Sequence, residues 1–144
     1  MTFKRTIRSA FLASAVFAAT ASMASAAEKD EMFMGNFSGE HGATSHPAGM
    51  VDATLDAKSH ELTYSIQWSG LSGAVNAAHF HGPASFDQDA GVVAPIDGPY
   101  TSPLKGKVKL DAKQVEELEA GKIYVNLHTA EHPNGEARAQ LVKN

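Results

Sequence analysis

His79 and His81 flank a phenylalanine in the run Ala77-Ala78-His79-Phe80-His81-Gly82-Pro83. On an extended chain, residues two apart stand on one face about 7 Å from each other, a spacing at which two imidazoles can converge on one ion. A third imidazole comes from Lys122-Ile123-Tyr124-Val125-Asn126-Leu127-His128, where Ile123, Val125 and Leu127 form an apolar face and Tyr124, Asn126 and His128 turn the other way. If the two runs are neighbouring strands, His79, His81 and His128 meet on the side away from the core. Three imidazoles with an open fourth position suit copper or zinc. His132, in the loop that follows, could supply a fourth ligand. Arg138 reads either as a cross-strand ion-pair residue or as a cation guiding an anion toward the metal. The competing reading is that these histidines bond to backbone groups and lock loops in place. With no cysteine in the chain, thiolate ligands, disulfides and iron–sulfur clusters are excluded.

The remaining histidines carry weaker signals. His60 lies between two alternating runs in Lys58-Ser59-His60 and reads as a turn residue, while His41 and His46 sit on a Gly-rich loop and could join Met32 and Met34 in a soft-metal set. Asp87 and Asp89, in a polar loop, lack the spacing of a full calcium loop.

The elements that must hold these side chains are short and β-like. Leu62, Tyr64, Ile66 and Trp68 alternate with Glu61, Thr63, Ser65 and Gln67, and the same two-residue period runs through Phe33–Phe37 and Val51–Leu55. Runs at Ala74–His81, Gly91–Ile96, Leu104–Leu110, Lys122–Thr129 and Glu136–Val142 bring the count to about eight. This spacing predicts an all-β, Greek-key-like sandwich or barrel of about 7–8 strands. One helix is expected over about 112–120, with Asp111 and Gln114 forming a capping box, Leu110 stapled onto Val115 and Gly121 as the left-handed stop. In the last run, Glu136, Arg138 and Gln140 share a face that reads as the wet side of a sheet, opposite Ala137, Ala139 and Leu141.

Length and charge bound the rest. At 144 residues the chain suits one domain. Lys4, Arg5 and Arg8 precede an apolar run, Ala10–Ala21, and then Ala24-Ser25-Ala26, which is the form of a signal peptide cleaved after Ala26. The apolar run, about a dozen residues, is shorter than a membrane span. Removing residues 1–26 takes three of the 12 cations and none of the 16 acids, so residues 27–144 carry 9 against 16, a net charge of −7. Nucleic acid is disfavoured as a partner. Export of a cysteine-free chain fits a periplasmic or secreted protein.

Three stretches together resemble the CHRD domain, the module first described in chordin. They are Ala77 to Ala84, Leu118 to Thr129, and His132-Pro133-Asn134-Gly135-Glu136-Ala137-Arg138-Ala139-Gln140-Leu141. The resemblance covers about Phe33 to Val142 and implies an all-β domain. Ala139 stands where the family usually has glycine. A weaker likeness is to copper/zinc superoxide dismutase, through the His-x-His pair and Gly135-Glu136-Ala137-Arg138, but the disulfide and a His-bearing zinc loop are missing. The reading reached from sequence is an exported domain binding copper or zinc through its histidine cluster, for handling or storage rather than catalysis. Its alternatives are a metal-free envelope module that binds protein or polysaccharide, and a small dismutase-like copper enzyme.

Overall fold

A computed structural model describes residues 29–144; the expected signal peptide lies outside the described residues. The chain forms two five-stranded antiparallel sheets packed face to face. The first has the order β10-β1-β3-β4-β7 and the second β2-β9-β8-β5-β6. These strands are β1 (Glu31–Asn36), β2 (Ser38–Gly39), β3 (Ala48–Leu55), β4 (Glu61–Ser69), β5 (Val75–His81), β6 (Val92–Pro95), β7 (Leu104–Lys109), β8 (Tyr124–Thr129), β9 (Ala137–Gln140) and β10 (Val142–Lys143). The single helix among the described residues, α1 (Ala112–Glu119), precedes β8. No helix among them is long and apolar enough to cross a membrane.

The alternation read from sequence sets the core. Phe33, Val51, Leu55, Leu62 and Ile66 of the first sheet face Ala78, Phe80, Val125 and Leu127 of the second, all buried, as the period of two requires. Tyr64 meets Phe80 edge to face across the sandwich, with ring centroids 5.2 Å apart. Both halves of the capping box at Asp111 and Gln114 are formed, and Leu118 buries the inner side of α1.

The expected strand over Glu136–Val142 is divided into β9 and β10, and a two-residue strand, β2, follows the expected run Phe33–Phe37, which yields ten strands instead of about eight. The chain leaves the first sheet at Phe37 to make β2 in the second, and leaves the second at Leu141 to make β10 in the first. Both hinge residues are buried apolar side chains. Their amides bond outside the ladders, Phe37 N–H to the Gly49 carbonyl and Leu141 N–H to the Ile123 carbonyl. Such corners, where a strand changes sheet, satisfy backbone groups that a continuous strand would leave unpaired. Gly35 sits at one crossing: a Cβ there would stand 2.6 Å from the Gln140 carbonyl oxygen.

The face bearing Glu136, Arg138 and Gln140, expected to be the wet side of the sheet, is covered. Glu136 and Arg138 are 0% and 3% exposed, because three connections fold over it. The loop after β2 places Ser45 on Glu136, the connection after β4 places Ser72 on it, and the segment after β5 runs across Arg138 and Gln140. This covered outer face of the second sheet is where the histidines lie.

Candidate metal centre

β5 pairs with β8 so that Ala77 stands opposite His128, His79 opposite Asn126 and His81 opposite Tyr124. Residues of even displacement on the two strands therefore share the outer face, and His128 lies diagonal to His79, within reach of a long side chain. One ring nitrogen from each of His79, His81 and His128 falls within 4.8 Å of the other two. The shortest separation is His79 Nδ1 to His128 Nε2, 3.1 Å. Two nitrogens bound to one tetrahedral ion at about 2.0–2.1 Å sit about 3.3 Å apart.

The second ring nitrogens decide which atoms face the cluster. His128 Nδ1 lies 3.0 Å from the Pro133 carbonyl and His81 Nδ1 lies 2.9 Å from the Ala90 carbonyl. A carbonyl only accepts, so both Nδ1 atoms carry the proton and both Nε2 atoms present a lone pair. His79 Nδ1 must then donate to His128 Nε2. His81 Nε2 is buried with no hydrogen-bond partner, a costly state for an imidazole acceptor unless something serves it. Orientation of this kind, with one ring nitrogen fixed by a carbonyl and the other left free, is how proteins aim histidine at metals.

Burial, followed by the neighbouring imidazoles of His128 and His81, holds His79 below its ordinary pKa. His128 is lowered as well, chiefly by burial; the bond to Pro133 works in the opposite direction, and the positive charge of a protonated His81 adds to the lowering. Both effects favour the neutral, ligating form.

Arg138 builds the support under His81. Its Cζ lies 3.5 Å from the Tyr124 ring centroid, and Tyr124 stacks on His81 with the rings 14° from parallel. Its remaining contacts reach the covering loop after β5, Gln140 and two carboxylates, with Nη1 3.4 Å from Glu40 Oε1 and 3.9 Å from Asp89 Oδ1. Nη1 donates to the Gln88 carbonyl (2.7 Å) and Nη2 to the Ser85 carbonyl (2.8 Å), while Nε and Nη2 reach Gln140 Oε1. The same loop is held by Ala90 N–H donating to the Tyr124 hydroxyl and by Gln140 Nε2 donating to the Ala84 carbonyl. The loop so fixed delivers the Ala90 carbonyl to His81. A guanidinium enclosed in this way ties the loop down and does not stand open to an incoming anion.

Glu136, which sequence alone gave no reason to single out, holds the other side. It accepts from Ser45 Oγ (2.6 Å), Ser72 N–H (2.6 Å), Ser72 Oγ (2.7 Å) and Thr129 Oγ1 (2.5 Å). Burial opposes its ionisation, yet these donors outweigh burial and bring its pKa down to about 2. Thr129 follows His128 directly, so this knot fixes the end of β8. Nearby, Gly135 has φ +116°, and a Cβ there would run into the Asn126 amide. Asn126 in turn donates to Glu40.

Of the residues singled out from sequence, the structure brings together His79, His81 and His128, with Tyr124 against His81 and Arg138 behind Tyr124. Asn126 lies on the same face, turned toward Glu40. His132 is not part of the converging group; it lies in the loop after β8, its backbone N–H donating to Thr129 Oγ1. His60 occupies a turn built on Asp56, with φ +57°. Met32 and Met34 lie on β1 in the other sheet from the triad.

No curated protein and no solved structure matches the chain. The family model of the CHRD domain matches residues 20–141, nearly the whole length and including all three histidines and their supports, and the chain therefore belongs to the CHRD domain family.

Proposed function

We propose that this protein is an exported metal-binding CHRD domain that holds one copper or zinc ion through His79 Nδ1, His81 Nε2 and His128 Nε2. The observation that carries the reading is the buried, unpartnered Nε2 of His81, fixed by its own Nδ1 bond to Ala90 and turned toward two further imidazoles. Three neutral imidazole nitrogens with no carboxylate or thiolate in the set favour the imidazole-loving ions near the top of the divalent affinity series. To accept the ion through Nδ1, His79 moves its proton to Nε2. His81 and His128 already present lone pairs. The ion would supply charge and Lewis acidity, and the chain supplies orientation.

Handling or storage fits better than turnover, because the Arg138 guanidinium is committed to the covering loop and to its neighbours Glu40 and Asp89, which are acidic. Export is supported by the N-terminal cation, apolar and small-residue order, and by the extracellular setting typical of CHRD domains. Metal analysis of untagged protein purified without chelator is the test. About one equivalent of copper or zinc per chain is expected, and a chain that comes out free of both and takes up neither on exposure contradicts the proposal.

A further inference from the structure

The three imidazoles of the triad are not held alike. His81 and His128 each have Nδ1 tied to a backbone carbonyl, that of Ala90 at 2.9 Å and that of Pro133 at 3.0 Å, and each therefore presents Nε2 in a fixed direction. His79 has no such tie. Among the described residues its ring makes one hydrogen bond, from Nδ1 to His128 Nε2. It is half-buried and stands opposite Asn126, whose Nδ2 donates to Glu40 and not to His79. His79 Nδ1 carries the proton in the contact with His128, so the nitrogen that faces the cluster has no lone pair for an ion until the proton moves or the ring turns. Two of the three ligands are thus ready and fixed, and the third occupies the lone pair of one of them.

Resting on the triad reading above, we infer that His79 sets which ion the site prefers: His81 and His128 alone hold copper(I), and His79 joins them only for zinc(II) or copper(II). Copper(I) has a filled d shell and a single charge, and two neutral nitrogens in line are enough to bind it. Nitrogens on opposite sides of one ion at about 2 Å each stand about 4 Å apart, and those of His81 and His128 lie within 4.8 Å of each other. Zinc(II) takes a tetrahedral set and copper(II) a tetragonal one, so both call on the third imidazole. When copper(I) enters between the two fixed rings, His79 gives up its bond to His128, and its lack of a second anchor lets the ring swing aside. When zinc(II) or copper(II) enters, His79 loses the Nδ1 proton to solvent and regains one at Nε2, and Nδ1 closes on the ion. No electron moves in either case.

The probes are copper(I), kept reduced under anaerobic conditions, and zinc(II), each titrated into the untagged full chain against a chromophoric chelator of that ion. His79→Ala should lower zinc(II) affinity by about 100-fold or more and copper(I) affinity by less than about tenfold, whereas His81→Ala and His128→Ala should lower both by about 100-fold or more. A loss of copper(I) affinity in His79→Ala as large as in the other two variants, or zinc(II) affinity that His79→Ala leaves unchanged, overturns the inference. If the unsubstituted chain takes neither ion, the triad itself fails and the selectivity of His79 with it. If it binds both ions and all three variants lose both alike, the triad stands and only the selectivity falls. A measurement that needs no variant is the number of imidazole nitrogens that X-ray absorption finds around each ion in the unsubstituted protein. Two around copper(I) and three around zinc(II) are expected, and three around both overturns the role assigned to His79.

Discussion

His79 Nδ1 lies 3.1 Å from His128 Nε2, a hydrogen bond between two imidazoles carried by different strands of one sheet. One proton occupies that contact, and on the proposed reading an ion bound to the cluster would take its place. Imidazole ligates only when neutral, so metal and protons compete for the same atoms.

Metal affinity should therefore fall as the solution is acidified, and the direction of the histidine shifts sets where. His79 and His128 both sit below the ordinary 6.5. Affinity should fall on acidification as more than one imidazole takes up a proton, with His79 and His128 contributing to the loss below 6.5. Equilibrium competition with a chelator from mildly alkaline to acidic pH measures this; affinity that does not change over the range contradicts ligation by the triad.

Glu136 ties two segments, those carrying Ser45 and Ser72, to the end of β8 at Thr129, and its pKa of about 2 lies below the unperturbed 4.5. A carboxyl depressed on folding contributes stability that is complete above the unfolded value and is lost as pH falls from about 4.5 through about 2. Glu136→Gln keeps the shape but removes the charge on which the donors converge. It should cost about 1–3 kcal/mol at neutral pH, and the variant should show a shallower loss of stability through that acidic window. Urea unfolding at a series of pH values compares the two proteins, and parallel curves would show that the carboxylate carries no such load.

Arg138 acts on the cluster through Tyr124 and the Ala90 carbonyl, not by contact with the ion. Arg138→Gln should loosen the loop that fixes His81 and lower metal affinity by about 10–100-fold while leaving the stoichiometry of the triad unchanged. Titration of the variant reads both quantities. Unchanged affinity would mean that His81 is held without this support.

Much of this arrangement is legible in the order of residues alone. The alternation in Ile123–His128 and around Phe80 places Phe80, Val125 and Leu127 inside and the three histidines outside, because side-chain direction in a strand follows from position. The helix is readable in outline too, from its cap at Asp111 to its stop at Gly121, since the capping box and the glycine stop are local chemistry. What the sequence withholds is non-local. Glu136 and Arg138 look solvent-facing by the same alternation, and only the return path of loops distant in sequence, carrying Ser72 and Ser85, encloses them. The acceptors that fix His81 and His128 are backbone carbonyls of Ala90 and Pro133, which leave no trace in residue type. Leu141 reads as one more core position in a continuous strand, yet it is the point at which the chain changes sheet.

Gly135 offers a test of the packing around Asn126. With φ at +116° and the Asn126 amide where a Cβ would go, Gly135→Ala should lower stability by roughly 1–3 kcal/mol through strain and displacement of the amide. Thermal unfolding followed by circular dichroism measures it, and an unchanged midpoint would show that the loop yields freely.

That His79, His81 and His128 share one ion is tested most directly by parallel titration of copper(II) and zinc(II) into the unsubstituted chain and four variants, His79→Ala, His81→Ala, His128→Ala and His60→Ala, all without tags. Each triad substitution should weaken the tightest equivalent strongly, by about 100-fold or more, since one of three ligands is lost. His60→Ala, on its turn away from the cluster, should bind like the unsubstituted protein. Equal tight binding by the unsubstituted chain and every variant would contradict the shared site.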